Sequence, residues 1–278
     1  SLVYDCIERA MDLVEGGSVY SADGGPTAGT ISAGDSLAAL DEIVFNQKLL
    51  TMEQVLHAMS TNYEDMETVP AGPEIRAILL NKAPKFGNDD ERADKWVVEL
   101  EDYIGSSYRY KYRSSKYGKG PVPCCYSYSQ SPVTGNIAFG KSIGATPDGR
   151  KAGQPVNNGI SPANGSEKKG ATAACNSVMK LPSIWFQKGA IFNMRLSKGA
   201  LDTDENKEKV IAMIKVLFEN YGQQIQFNVV DNKVFREAME HPDEYKDLMV
   251  RVSGYSALFT SLSPECQMDV INRAELEL

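Results

Sequence analysis

Residues 251–259 read Arg251-Val252-Ser253-Gly254-Tyr255-Ser256-Ala257-Leu258-Phe259. One glycine stands inside a run of apolar, aromatic and hydroxyl residues that is otherwise typical of buried sequence. Glycine weakens a strand and adds nothing to a core, so it is tolerated where a bulge or a close backbone approach requires it. One chemistry supplies a further reason. Loss of a hydrogen atom from a glycine Cα leaves a flat radical that the flanking amide nitrogen and carbonyl stabilise, and a side chain would crowd it.

The pattern before this stretch alternates between strands and helices. Residues 190–196 alternate in polarity and predict a half-buried strand. An amphipathic helix is predicted over 204–221, with Gly222 as its stop, and a second strand over 224–230. Asp231 then caps a helix that Pro242 terminates. This order predicts an α/β fold.

The first half of the chain predicts helices with irregular connections. Thr51 and Gln54 fit a capping box that begins a helix. Another helix is predicted from Asp89 to about residue 104, ending near Gly105. The composition of residues 21–29 predicts a loop, and residues 144–162 form a longer turn-rich block.

Four blocks carry a resemblance to a known superfamily. They are residues 84–90 (PKFGNDD), the turn-rich block from 144 to 162, residues 226–231 (QFNVVD) and the glycine stretch 251–259. In this order they resemble the glycyl radical enzymes, which include pyruvate formate-lyase. The resemblance implies a barrel of two five-stranded halves surrounded by helices, of which this chain holds the C-terminal half. It also implies a division into residues 1–143, a helical and barrel-half region, and residues 144–278, the turn-rich loop with the glycyl radical domain.

The chemistry of the resemblance centres on Gly254. In that superfamily the stored glycine radical takes a hydrogen atom from a cysteine, and the thiyl radical takes one from a small-molecule substrate. A separate activating enzyme, which uses S-adenosylmethionine and an iron–sulfur cluster, installs the radical. No cofactor besides the glycine radical is expected on this chain, and a homo-oligomer is expected.

The superfamily's cysteine loop has no counterpart here. Cys124-Cys125 lies before the turn-rich block and not at the expected place, so buried packing is the favoured interpretation. Cys175 and Cys266 are interpreted as packing or surface residues. The chain also begins abruptly in helix-like sequence without Met. We therefore expect the C-terminal part of a longer enzyme, inactive alone, whose N-terminal portion is its partner; a natural stand-alone glycyl radical subunit is the alternative.

Two groups of residues are candidates for the site besides the radical-bearing Gly254. Ser253 and Ser256 are expected to bond local backbone, and Arg251 to satisfy carbonyls or a carboxylate. The loop-supporting group is Arg251, Val252, Ser253, Tyr255 and Ser256. The possible pocket-lining group, whose inward face the sequence leaves open, is Asn193, Arg195, Gln226 and Asn228. For Asp148 and Arg150 an ion pair that stabilises the loop is favoured over binding of an anionic substrate group.

Composition excludes several classes of protein. The formal net charge of −8 argues against general nucleic-acid binding and favours a cytoplasmic protein. The sequence contains neither a membrane-spanning apolar run nor a signal segment. Five cysteines without a CxxC pair and only two histidines, His57 and His241, support neither a disulfide framework nor a metal site. Tyrosines and cations interleave between Tyr103 and Pro147, which is interpreted as a basic loop or strand rather than a nucleic-acid surface.

Several reactions stay open. The residues around Gly254 and in Asn157-Asn158-Gly159 favour an arylacetate decarboxylase. A fumarate-adding synthase of the alkyl- or benzylsuccinate type and a formate acetyltransferase are the alternatives. Diol dehydratases are ranked lower, because they usually have Ala before the radical glycine. Each of these reactions cleaves or forms a bond to carbon by a radical route.

Overall fold

The computed structural model describes residues 3–13, 17–19, 22–110, 125–273 and 275–276. Helices cover most of the first half of this part, and short strands alternate with helices in the second. The α-helices are α1 (Thr30–Ala39), α2 (Met52–Ser60), α3 (Gly72–Asn81), α4 (Glu91–Tyr110), α5 (Gly135–Ser142), α6 (Gly170–Met179), α7 (Asp204–Glu219), α8 (Asn232–Glu240) and α9 (Pro264–Ile271). The strands are β1 (Ala22–Asp23), β2 (Cys125–Tyr126), β3 (Asn193–Leu196), β4 (Gln226–Asn228), β5 (Met249–Arg251), β6 (Ser256–Leu258) and β7 (Glu275–Leu276).

Parallel pairing organises the centre of the fold. β3 pairs in parallel with β4 on one side and with β7, and β1 pairs in parallel with β2. A bridge between Gln130 and Ala190 connects the two groups. Helices α6 to α8 alternate with β3 and β4, so the predicted α/β class is confirmed.

Strand β3 is buried on both faces. All four of its residues, Asn193 to Leu196, are buried, whereas alternation had predicted a half-buried strand. A parallel strand covered by helices on both faces has no solvent side. The polar residues of β3 therefore mark a buried polar layer rather than an exposed face.

Local signals explain several of the helix starts. Thr51 accepts from the backbone N–H of Gln54, and the Gln54 side chain accepts from that of Thr51, so the predicted capping box is confirmed. Asp231 caps α8 as predicted by accepting from Lys233. At the end of α7 the residue in the left-handed region is Tyr221, with φ 64°, rather than Gly222.

Helix α4 corrects one prediction and the segment at 21–29 another. α4 runs through Gly105 to Tyr110. A Cβ at Gly105 would lie 2.4 Å from the Trp185 side chain, so this glycine serves close packing and not helix termination. Residues 22–23 form β1 inside the predicted loop because they find β2 as a partner, a tertiary contact that local composition does not contain. Residues 3–10 form turns in place of the helix-like start.

Three apolar clusters hold the described residues together. The main cluster packs α1, α4, α6 and α7 around β3, and the second lies under α1 to α3. The third cluster is small and lies beneath the β5–β6 hairpin; its buried members are Phe235, Ala238, Val250, Val252, Phe259, Val270 and Ile271. The glycine stretch thus has an apolar base of its own.

Some predictions fall outside the described residues. Cys124 and most of the basic tyrosine-rich segment, residues 111–124, belong to this group. In the described ranges, no helix is both long enough and apolar enough to cross a membrane.

Candidate functional site

Gly254 lies at the tip of an antiparallel hairpin. β5 and β6 pair with Arg251 opposite Ser256, and the Val252 N–H donates to the Tyr255 carbonyl at 2.9 Å. Gly254 has φ +76°, in the left-handed region that favours glycine, and it is exposed. A Cβ there would lie 3.0 Å from Cδ1 of Ile191. The turn alone therefore accounts for a glycine at this position.

The two peptide groups that flank the Gly254 Cα are both hydrogen-bonded to side chains. The Gly254 N–H donates to Oε1 of Gln226 at 3.2 Å, and the Gly254 carbonyl accepts from Nη2 of Arg251 at 3.1 Å. Arg251 also donates from Nε to Oε1 of Gln226 at 2.8 Å and from Nη1 to Oγ of Ser256 at 3.2 Å. These bonds set the orientation of both amides. The predicted role of Arg251, satisfying a carbonyl, is observed.

Strand β4 attaches the hairpin to the sheet. Asn228 mimics a strand pair with Arg251: its Nδ2 donates to the Arg251 carbonyl at 2.7 Å, and its Oδ1 accepts from the Arg251 N–H at 2.8 Å. Gln226 donates from Nε2 to Oδ1 of Asn193, its partner in the parallel register. Three of the four possible pocket-lining residues thus lie in one buried polar layer against the hairpin.

Arg195, the fourth, serves a structural purpose. It is buried, and its guanidinium donates to Oδ1 of Asn232 at 2.7 Å, to the Ile271 carbonyl at 3.1 Å and to Oε2 of Glu275 at 2.8 Å. Burial lowers the pKa of Arg195, and the Glu275 carboxylate opposes that shift. The side chain joins β3 to α8, α9 and β7 and does not contact Gly254.

Ser253 and Ser256 do not bond local backbone as predicted. Ser253 Oγ donates to Oδ1 of Asn158 in the turn-rich block at 2.8 Å, and Ser256 Oγ accepts from Arg251. Asn158 also donates to Oδ1 of Asn136 at 3.2 Å. The reason is distance along the chain: the hairpin tip lies against a loop almost one hundred residues earlier in the sequence, which local reasoning cannot detect. Tyr255 is part exposed beside the tip, and burial is the main cause that raises its pKa.

Sequence reasoning missed an anchor on the other side of the hairpin. Arg273 donates to the carbonyls of Arg251 at 3.3 Å and Val252 at 2.7 Å. Asp269, one turn earlier, accepts from Arg273 at 3.3 Å and from Asn136 at 3.1 Å. The signal available in the sequence was the spacing of four residues between Asp269, on α9, and Arg273, which lies two residues beyond the end of that helix.

The turn-rich block is held by Arg150. Its guanidinium donates to the carbonyls of Ile143, Gly144, Lys151 and Gln154, and burial lowers its pKa. Asp148 accepts from Oγ1 of Thr146 and the N–H of Arg150. The favoured loop-stabilising role is observed, but carbonyl contacts and a turn replace the expected side-chain ion pair.

A groove opens beside Gly254. Its volume is about 560 Å³, and Gly189, Ile191, Gln224 and Arg251 line it with Gly254. In the part of the chain that the structure describes, no group of three or more His, Cys, Asp or Glu side chains could hold a metal ion. Cys175 is buried in α6, where desolvation raises the pKa of its thiol to about 12, in agreement with a packing role.

Comparisons with known proteins agree over almost the whole chain. A family model described as pyruvate formate lyase-like matches residues 1–139, and one described as glycine radical matches residues 156–260. The probable dehydratase YbiW of Escherichia coli is 38% identical over 99% of this chain and 34% of its own length, and trans-4-hydroxy-L-proline dehydratase of Clostridioides difficile is 35% identical over 99% and 33%. The glycerol-bound B12-independent glycerol dehydratase of Clostridium butyricum superposes with a TM-score of 0.88 at 36% identity, covering 100% of this chain and 34% of that one. The chain thus spans about a third of the length of the relatives that it matches.

Proposed function

Because this chain belongs to the pyruvate formate-lyase-like family of glycyl radical enzymes, we propose that Gly254 stores the radical. The observation that carries the assignment is the geometry of the hairpin tip. An exposed Gly254 Cα faces a groove, and both flanking peptide groups have side-chain hydrogen-bond partners. A bulge glycine needs only the positive φ, whereas the paired amides supply what a planar radical centre needs.

The radical would move by hydrogen-atom transfers. A separate activating enzyme, with an iron–sulfur cluster as electron donor, would supply a carbon radical by one-electron cleavage of a C–S bond of S-adenosylmethionine, with methionine leaving. That radical would take one hydrogen atom from the Gly254 Cα. The glycine radical then takes a hydrogen atom from a cysteine thiol of the remaining enzyme, which restores glycine and leaves a thiyl radical. The thiyl radical takes a hydrogen atom from the substrate carbon and returns it to the product. The parallel strands of this chain would form part of the barrel that shields these steps.

The reaction we propose is radical cleavage of a carbon–heteroatom bond, with loss of water as the first candidate. The three relatives described above all carry the name dehydratase. The sequence interpretation ranked this class below arylacetate decarboxylases and fumarate-adding synthases, and these names give that ranking no support. The residue before Gly254 is a serine, which the buried Asn158 fixes in place, so its identity reflects packing of the hairpin and is a poor guide to the substrate.

Electron paramagnetic resonance after anaerobic activation tests the assignment. With the activating enzyme and S-adenosylmethionine, the enzyme that contains this chain should give a doublet, split by the one hydrogen left on Cα. Glycine deuterated at Cα should collapse the splitting, and Gly254→Ala should abolish the doublet. Exposure to air should then cleave the activated chain at Gly254 and release residues 255–278.

The matched control is Gly144→Ala, because a Cβ at Gly144 meets no atom within 4 Å and its φ is not in the left-handed region. That variant should keep the full doublet. A doublet that survives in Gly254→Ala, or an activated enzyme that shows none, would contradict the proposal.

A further inference from the structure

The two amides beside Gly254 Cα make opposite electronic demands on a radical. The amide nitrogen stabilises the unpaired electron by donating electron density, and the carbonyl does so by withdrawing it. A hydrogen-bond acceptor on the N–H makes the nitrogen a stronger donor. A cation on the carbonyl oxygen makes that group a stronger acceptor, because hydrogen bonds polarise the groups that make them.

The structure places an acceptor on the first group. Gln226 is buried, with 7% of its surface exposed, and its Oε1 accepts from the Gly254 N–H at 3.2 Å. The chemistry of its neighbours fixes which end of the carboxamide is the oxygen. Arg251 Nε can only donate, and it lies 2.8 Å from the same atom, while Nε2 of Gln226 faces Oδ1 of Asn193. The amide therefore presents its oxygen to Gly254.

The structure places a cation on the second group. Arg251 Nη2, part of a cationic guanidinium, donates to the Gly254 carbonyl at 3.1 Å. Arg251 and Gln226 also bond to each other, so the two polar contacts form one unit around the glycine.

We propose that Gln226 is a positioning residue that, together with Arg251, polarises Gly254 in the sense that stabilises the radical. Gln226 increases donation by the amide nitrogen, and Arg251 increases withdrawal by the carbonyl. Both weaken the Cα–H bond before the hydrogen atom leaves. The inference rests on the proposed function, since it assigns an electronic role to the surroundings of the proposed radical.

If Gln226 had a purely structural role, its loss should have the same effect on the radical as the loss of another residue that anchors the hairpin. Asn228 is such a residue and serves as the control. Asn228 lies two residues along the same strand and anchors the hairpin through the Arg251 backbone without contacting Gly254. Loss of Asn228 loosens the hairpin and leaves both polarising groups present. Loss of the Gln226 acceptor removes one of them.

The experiment compares the doublets of wild type, Gln226→Met, Arg251→Met and Asn228→Leu in the activated enzyme. With less delocalisation, more spin stays on Cα, so both Gln226→Met and Arg251→Met should enlarge the splitting from the α-hydrogen. Radical yield should fall about three- to tenfold in Gln226→Met, the effect of losing one such hydrogen bond. Asn228→Leu can lower the yield, but its splitting should equal that of wild type.

A second measurement needs no radical. In the unactivated enzyme that contains this chain, the Gly254 amide proton should move upfield and exchange faster in Gln226→Met, which reports the lost acceptor directly by NMR. A wild-type doublet together with unchanged splittings in Gln226→Met and Arg251→Met overturns this inference alone. The absence of a doublet in wild type overturns the proposed function and this inference with it.

Discussion

The turn-rich block 144–162 and the hairpin tip 252–255 both contain glycine and are both stabilised by an arginine. They differ in how deeply the arginine and the glycine are buried. An arginine bonds backbone carbonyls in each. Arg150 is buried and bonds three carbonyls of its own block and that of Ile143 just before it, whereas the half-buried Arg251 bonds one carbonyl, that of Gly254. Gly159 of the block is buried against backbone, and Gly254 is exposed beside a side chain.

The difference indicates that the turn-rich block has a structural role, whereas the hairpin tip exposes one glycine. Two stretches of the block, 148–150 and 156–162, are buried, and the polar groups of buried irregular backbone must find partners within the protein. At the hairpin tip, by contrast, the two peptide groups beside the exposed Gly254 are each bonded to a side chain, that of Gln226 or of Arg251. The same residue types therefore stabilise a shape in one loop and hold the proposed radical position in the other.

The largest expected effect comes from placing alanine in each loop. At Gly159, φ is +59° and a Cβ would lie 2.2 Å from the Ile191 backbone oxygen, so Gly159→Ala should lower the free energy of unfolding by about 4 kcal/mol. Gly254→Ala meets only Cδ1 of Ile191 and should lower it by about 1 kcal/mol. Urea unfolding measures both. If both substitutions lowered the free energy of unfolding equally, the proposed difference between the two loops would be wrong.

Removing each arginine should give the next largest difference. Arg150→Met removes the donor to four part-buried carbonyls and should cost about 3 kcal/mol, while Arg251→Met removes the donor to one carbonyl and should cost about 1 kcal/mol. Thermal or urea unfolding of the two variants checks this. If Arg251→Met proves the more destabilising of the two, the hairpin tip is part of the scaffold and the comparison fails.

The third prediction concerns the pH dependence of stability that arises from Asp35, a buried carboxyl group near the turn-rich block. Asp35 on α1 is fully buried, and its carboxyl accepts from the Phe86 N–H at 2.7 Å. Desolvation raises its pKa from 3.8 to about 7, against the attraction of Lys85, which donates to the Asp148 carbonyl. The folded state keeps the proton up to about pH 7 and the unfolded state loses it near pH 4. This contribution to stability is therefore complete below pH 4 and is lost as the pH rises through 7.

Asp35→Asn should remove that dependence. Between pH 5 and pH 7.5 the wild type should lose about 2 kcal/mol more than the variant, measured as the difference of their urea midpoints at each pH. Asp204→Asn, on an exposed side chain at the start of α7, should follow wild type. Parallel curves for Asp35→Asn and wild type would show that Asp35 is ionised in the folded state throughout this range.

Much of the fold could be predicted from local signals. The Thr51 capping box, the Asp231 cap and the amphipathic α7 lie where their sequences indicate, because each depends on neighbours within a turn or two. The glycine stretch was identified by its composition, and its hairpin has the positive φ that a glycine permits.

What failed depends on distant partners. Gly105 lies inside α4 because Trp185 needs the space, and Ser253 bonds Asn158, ninety-five positions away. Arg195 was expected near a pocket, but its buried guanidinium forms an ion pair with the exposed Glu275, since which face of a parallel strand meets which helix follows from packing. The Arg273 and Asp269 anchor could have been suspected from its helical spacing, but its target carbonyls could not.

Ile191 contacts both loops. Its backbone carbonyl accepts from the Ile160 N–H at 2.9 Å beside Gly159, and its side chain lies against Gly254. A substitution in one loop that displaces Ile191 therefore changes the stability cost of a substitution in the other loop. The two changes in the free energy of unfolding do not add. Ile191 is therefore expected to couple the energetic effects of substitutions at positions 159 and 254.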